Sequence, residues 1–252
     1  MPRLLPQGDG HIIHGMMRPF DSLRSLRARL AIAAVLTLGA TLNAQAPMLT
    51  AAEKAAGWKL LFDGKSLAGW RGYKTETPPT GWRAENGVLI RDGEGGDLMT
   101  AEQYGDFEMR FDWKITENGN SGVIYRIATT EPFPWHTGPE YQILHNAGHK
   151  DGANPITSAG SNYAVNEPVK DVTKPVGEWN ESRLLARGNH VEHWLNGVKV
   201  VEYEIGSPDW EARVKASKFG KIPPYGRVKR GYIALQDHGN VVAYRNLKIK
   251  PL

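Results

Sequence analysis

The chain has 252 residues, 40% of them hydrophobic, with no cysteine and 31 basic against 27 acidic side chains. That is enough apolar material for the core of one sandwich-sized domain, and the missing cysteines exclude disulfides, thiol catalysis and cysteine-held metal. The positive balance belongs to the first 46 residues: removing Arg3, Arg18, Arg24, Arg27, Arg29, Asp9 and Asp21 leaves 26 basic and 25 acidic residues, which excludes a basic footprint for nucleic acid or anionic membrane and fits a neutral ligand.

The N-terminus reads as an export signal. Arg18 to Arg29 is basic, Leu30 to Leu42 is apolar, and Ala44-Gln45-Ala46 offers the small residues a signal peptidase reads, although Pro47 after the cut is unfavourable. The apolar run is shorter than the roughly 20 residues a bilayer requires, so the expectation is cleavage rather than anchoring. Residues 1–46 are therefore expected to be an N-terminal extension and secretory signal peptide, with Met16 or Met17 the more ordinary start. The mature protein is expected to be periplasmic or secreted, with no membrane attachment after cleavage.

From Gly57 onward the pattern is strand and turn. Trp58, Leu60 and Phe62 alternate before an Asp63-Gly64 turn, and Trp82 to Arg91 reads as a hairpin about Asn86-Gly87. Phe107, Met109, Phe111, Trp113 and Ile115 share one face of the next run while Glu108, Arg110, Asp112 and Lys114 share the other, the signature of a strand with one face in solvent. Further strands are expected at Ser121 to Ile127, Tyr141 to Leu144, Arg183 to Arg187, Val191 to Leu195 and Gly231 to Gln236, with hairpin turns at Gly188-Asn189 and Asn196-Gly197. Asp209 to Lys218 is the one helix candidate. With 28 glycines and 16 prolines spread along the chain, these short strands predict an all-β sandwich.

Seven segments carry a resemblance. Leu61-Phe-Asp-Gly-Lys-Ser-Leu67, Gly96-Asp-Leu-Met-Thr100, Tyr104-Gly-Asp-Phe-Glu108, Asn120-Ser-Gly-Val-Ile-Tyr-Arg126, Thr137-Gly-Pro-Glu-Tyr-Gln142, the Gly177 to Tyr203 stretch and Ala234-Leu-Gln-Asp-His-Gly239 follow the motif order of the 3-keto-disaccharide hydrolase family, which this chain resembles from about Gly57 to its end. The resemblance implies a domain over residues 57–252 with a concanavalin A-like jelly-roll fold, two antiparallel sheets and a carbohydrate cleft. It also implies a neutral sugar substrate already oxidised at C3, supplied by a separate sugar 3-dehydrogenase.

Strand parity nominates the cleft residues. If Ile233 and Leu235 face the core, Tyr232, Ala234, Gln236 and His238 face away from it; likewise Asn120, Ile124 and Arg126 share a face, as do Glu140 and Gln142. Arg126, Glu140, Gln142, Gln236 and His238 are thus expected in one cleft. In that reading Glu140 and His238 are acid and base in either order, Arg126 stabilises an enolate oxygen, and Asn120, Gln142, Gln236, Tyr163, Asp97 and Trp135 bind sugar. For Arg126 and Glu140 a structural ion pair between strands is the alternative, and for Trp135, in Glu131-Pro-Phe-Pro-Trp-His136, a plug over the core.

No cofactor is expected. His145 and His149 are four apart, but Asn146, Ala147 and Gly148 between them read as a loop, so a divalent metal there is unsupported. His190 and His193 fall on opposite faces of one strand and read as structural. No Glu is followed two positions later by Asp, so the Glu-x-Asp-x-x-Glu arrangement of retaining jelly-roll endoglucanases is absent. A lectin-like sugar-binding module and a conventional glycoside hydrolase with another carboxylate pair remain the alternatives to keto-sugar cleavage.

Overall fold

The computed structural model describes residues 47–252, so the expected signal segment lies outside the described residues. Two antiparallel sheets are stacked as a jelly-roll sandwich. The larger sheet runs β11 (Val198–Glu204), β10 (His190–Leu195), β9 (Asn180–Arg187), β6 (Phe107–Ile115), β13 (Val242–Pro251), β4 (Val88–Arg91) and β3 (Trp82–Glu85), with the short β1 (Lys59–Leu60) also pairing β13. The smaller sheet runs β2 (Trp70–Gly72), β5 (Leu98–Thr100), β12 (Tyr232–Leu235), β7 (Asn120–Ile127) and β8 (Glu140–Leu144).

Alternation decides which face of each strand is buried. In β6 the five apolar residues point inward and are buried, while Glu108, Asp112 and Lys114 are half-buried and Arg110 is exposed. Arg110 and Arg183 pair with Glu108, and Arg183 also pairs with Glu192, so this outer face is a solvated charge network. The core between the sheets joins Phe107, Phe111, Trp113, Leu184 and Tyr244 to Val123, Tyr125, Tyr141, Ile233 and Leu235. Each such side chain contributes about 1.5–3 kcal/mol on leaving water.

Several polar groups in this core are paired, while Trp210 Nε1 and the Tyr225 hydroxyl are buried without a partner among the described residues. Trp113 Nε1 donates to Ser182 Oγ at 2.9 Å, and the Tyr141 hydroxyl donates to Trp194 O at 3.1 Å. His193 is fully buried, its Nδ1 at 3.0 Å from Gly160 O and its Nε2 at 3.2 Å from the Tyr125 hydroxyl. Burial lowers its pKa to about 4, so it is neutral and structural. His190 lies on the solvated face beside Glu204 and Glu192.

The other face of the smaller sheet is covered as well. Every residue of β7 and β8 is buried, and Met99, Ile124, Ile127 and Ala234 form a second apolar cluster under Tyr73, Trp135 and Tyr232. Two of the long loops contribute to this cover, Tyr73 to Gly81 through Tyr73 and Glu131 to Gly138 through Trp135.

Two expectations shift. The strand at Trp58 to Phe62 shrinks to two residues, because Asp63 Oδ1 accepts from Lys65 N and Ser66 N, both at 2.8 Å, and turns the chain early. The helix expected at Asp209 to Lys218 is α2 (Pro208–Ala216), capped by Ser207 and followed at Lys218 by a 3-10 turn. A five-residue helix, α1 (Ala51–Ala55), precedes Gly57 with a Thr50/Glu53 capping box, and is too short to show a helical period in the sequence. No helix among the described residues is long and apolar enough to cross a membrane.

Candidate active site

Asn120, Glu140, Gln142 and Gln236 point from adjacent strands of the smaller sheet into one cavity of about 200 Å³, walled by Trp135, Tyr163, Lys218 and His238. Strand parity thus placed these four floor residues on the correct face. Glu140 is buried at 5% exposure, and its carboxylate lies over Gly122: a Cβ there would come within 2.1 Å of Glu140 Oε1. The Gln142 amide is oriented by its neighbours. With Nε2 toward Ser121 O and Glu140 Oε1, both at 3.1 Å, it donates to each, whereas the reverse orientation would set its oxygen against acceptors only. Gln236 Oε1 is buried without a hydrogen-bond partner among the described residues, ready to accept from a ligand hydroxyl.

A second cavity of about 330 Å³ adjoins the first and shares Trp135, Gln236 and His238 with it; Tyr73, Gly96, Asp97, Phe133, Pro134 and Asp237 complete its lining. Trp135 stacks on Phe133 with centroids 5.5 Å apart and planes at 8°. It also packs against both apolar clusters, so the loop both plugs the core and presents an aromatic wall. Asp97 stands in this outer cavity, where its Oδ1 accepts from Asp237 N at 2.7 Å. Asp237 in turn pairs with the buried Arg91 at 2.5 Å and accepts from Gly96 N at 3.0 Å. These bonds fix the turn that presents His238. Tyr163 is held by its own backbone donating to Glu140 O at 3.0 Å, and its hydroxyl donates to Asp151 Oδ2 at 3.2 Å.

The electrostatics favour proton transfer. Burial pushes the Glu140 carboxyl up to about 8, opposed by Lys218 and reinforced by Asp97 and Asp151. Burial likewise raises Asp97 to about 6, with the Asp237 carboxylate adding to it. Such displaced carboxyls, grouped in a cleft, mark sites of chemistry more often than of structure.

Arg126 is not in the cleft. Its guanidinium donates to Gly105 O (3.1 Å), Gly188 O (2.8 Å) and Asp106 Oδ1 (3.1 Å), tying β7 to the β9–β10 turn. Parity fails because Tyr232 pairs with Ile127 and Ile233 with Tyr125, leaving Arg126 as the extra residue of a bulge, with φ at 55°. Its ion-pair partner is Asp106, not Glu140. The enolate-stabilising role expected of Arg126 is therefore withdrawn.

Residues 57–250 match the family described as the 3-keto-alpha-glucoside-1,2-lyase-like domain. A Bacteroides thetaiotaomicron protein named 3-keto-disaccharide hydrolase is 33% identical over 231 residues, 79% of this chain and 79% of that one. This chain belongs to the 3-keto-alpha-glucoside-1,2-lyase-like family. A candidate glycosyl hydrolase from Parabacteroides distasonis superimposes with a TM-score of 0.78 at 38% identity, covering 82% of this chain and 99% of that one. A second from the same organism does so at 0.61 and 27%, covering 77% and 99%.

Within this member of the 3-keto-alpha-glucoside-1,2-lyase-like family, Lys218 is the cavity residue that the sequence reading missed. It is the last residue of the expected helix segment Asp209 to Lys218, lies beyond the end of the observed helix, and carries no local motif. His145 lies elsewhere, lining a cavity of about 260 Å³ beside Trp113 and Asn180 with its Nδ1 accepting from Asn118 N at 3.1 Å. His149 caps the turn at Lys150–Ala153, accepting from Asp151 N at 3.1 Å. Each of the two thus has its Nδ1 engaged by a backbone N–H. Among the described residues the ligand atoms of His190, Glu192 and Glu202 do converge, on the solvated face, where Arg183 and Lys199 already neutralise them.

Proposed function

We propose that this chain cleaves 3-keto glycosides by elimination and rehydration. The observation that carries the reading is that Glu140 and His238 line one cavity, Glu140 at its buried floor and His238 at the rim shared with the outer cavity. The family description and the name of the 33% identical relative support a hydrolase acting on such sugars.

A ketone at C3 acidifies the hydrogen on C2. In the proposed sequence Glu140 takes that proton and the C–H electron pair forms the enolate. Re-formation of the C3 carbonyl then creates the C1–C2 double bond and expels the oxygen substituent on C1. His238 protonates the departing oxygen, and water adds to C1 as a proton returns to C2. This order of roles follows from position: the leaving group must extend from the inner cavity into the outer one, and His238 lines both while Glu140 lines only the inner. A positioned acid or base contributes about 10²–10⁴ in rate, and a desolvated carboxylate of raised pKa is the stronger base. Gln142, Gln236 and Asn120 would hold hydroxyls, and Trp135 and Asp97 the departing sugar.

Such a substrate presupposes prior oxidation at C3 by a separate dehydrogenase, and the N-terminal sequence supports action outside the cytoplasm. Incubation with a 3-keto-disaccharide and with its unoxidised parent, followed by measurement of monosaccharide release, tests the scheme. Release from the keto form alone is expected. Equal cleavage of both would remove the ketone from the mechanism, and turnover of neither would favour a sugar-binding module.

A further inference from the structure

With Arg126 turned away, the scheme above lacks a group for the charge that develops on the C3 oxygen. Lys218 stands where one is needed. Its Nζ lies 4.3 Å from the Tyr163 ring centroid, 5.1 Å from that of Phe219 and 5.2 Å from that of Trp135, and the residue lines the same cavity as Glu140. Among the described residues it has no ion pair with a carboxylate within 4.0 Å, although Glu140 and Asp151 both act on it through space. Burial lowers its pKa, opposed by the nearby Glu140 and Asp151 carboxylates, while the three aromatic faces around Nζ favour the cation.

We infer that Lys218 is a catalytic residue whose ammonium donates to the C3 oxygen of the keto sugar and bears the negative charge formed there when Glu140 removes the C2 proton. The inference rests on the reading under Proposed function and deepens it. C2 and C3 are neighbouring atoms, so base and cation must face one cavity without pairing with each other, which is the arrangement of Glu140 and Lys218. A pre-placed cation at a developing oxyanion acts mainly in the transition state, so its loss should fall on kcat rather than on KM. No bond forms between the amine and the sugar: the proton moves from C2 to Glu140, and the electron pair is held on oxygen until the C1 substituent leaves.

The test compares wild type, K218M and K218R on a 3-keto-disaccharide, with melting temperatures measured alongside. Methionine keeps the apolar stem against Tyr163 and Phe219 while removing the charge. K218M is expected to lower kcat about 10²–10³-fold with KM little changed, and K218R to recover part of the loss. A folded K218M with kcat within about threefold of wild type, or with a raised KM alone, overturns the inference. So does a covalent adduct at Lys218 found by mass spectrometry after borohydride treatment during turnover, since that would make the amine an imine former. If K218M does not fold, K218Q serves the same comparison with the same outcomes. Should wild type itself fail to cleave the keto sugar, the functional reading fails first, and the two failures are told apart by that control.

Discussion

Glu140 shows how a single residue can oppose the fold that holds it. Its carboxyl is pushed up to about 8 by burial, against an ordinary value of 4.5. The folded protein therefore binds this proton more tightly than the unfolded chain does. Below about pH 4.5 both states are protonated and the group costs nothing; as pH rises through 4.5 to 8, ionisation favours the unfolded chain and stability falls. E140Q removes the ionisable group while keeping its shape. The variant is expected to exceed wild type in unfolding free energy by at least about 1 kcal/mol at pH 9, and by little at pH 4, as read from denaturant titrations at the two pH values. Its turnover of a 3-keto-disaccharide should fall at least about 10²-fold. In wild type, kcat/KM should depend on pH as a bell, because Glu140 must be ionised and His238 protonated in the same molecule. A profile with only one limb would remove one of the two groups from the proton transfers.

At the scale of strands, the site depends on what the sheet leaves empty. Gly122 pairs with Gln142 across β7 and β8, and its missing side chain is the space in which the Glu140 carboxylate lies. Alanine is compatible with the strand backbone there, so G122A should fold, but its Cβ would displace the carboxylate. A shift of about 1 Å at a catalytic group can cost about 10²-fold. G122A is expected to lower kcat/KM by that order with a melting temperature near wild type, measured by kinetics and calorimetry; unchanged activity would free Glu140 from its assigned place. The same strands define what could be read from sequence. Period-two alternation in Gly231 to Gln236 and in Glu140 to Gln142 held, because neither segment itself carries the extra residue, which lies on β7, and it correctly put Asn120, Glu140, Gln142 and Gln236 together. It failed at Arg126, because one bulged residue inverts the parity that follows and nothing in Tyr125-Arg126-Ile127 announces a bulge. It had no purchase on Lys218, which arrives from a 3-10 turn remote in sequence.

Across the whole molecule the two sheets divide the work. The larger sheet gives one face to the core and the other, through Glu108, Arg110, Arg183 and Glu192, to water. The smaller sheet is buried on both faces, one against the core and one beneath loops whose inner walls form adjoining cavities. That division was legible in part: charged alternation in β6 marked the solvated face, and the Glu131 to His136 segment was weighed as a plug over the core, which Trp135 is. The depth of the cavity was not, since it depends on contacts between segments far apart in the chain. A buried base, a rim imidazole and an unpaired ammonium around one small cavity suit proton removal beside a carbonyl better than direct displacement at C1. Deuterium incorporation distinguishes the two. When a 3-keto-disaccharide is cleaved in D2O, elimination followed by rehydration predicts that the released keto sugar carries one solvent-derived deuterium at C2 by NMR, whereas release with the original C2 hydrogen fully retained would contradict it.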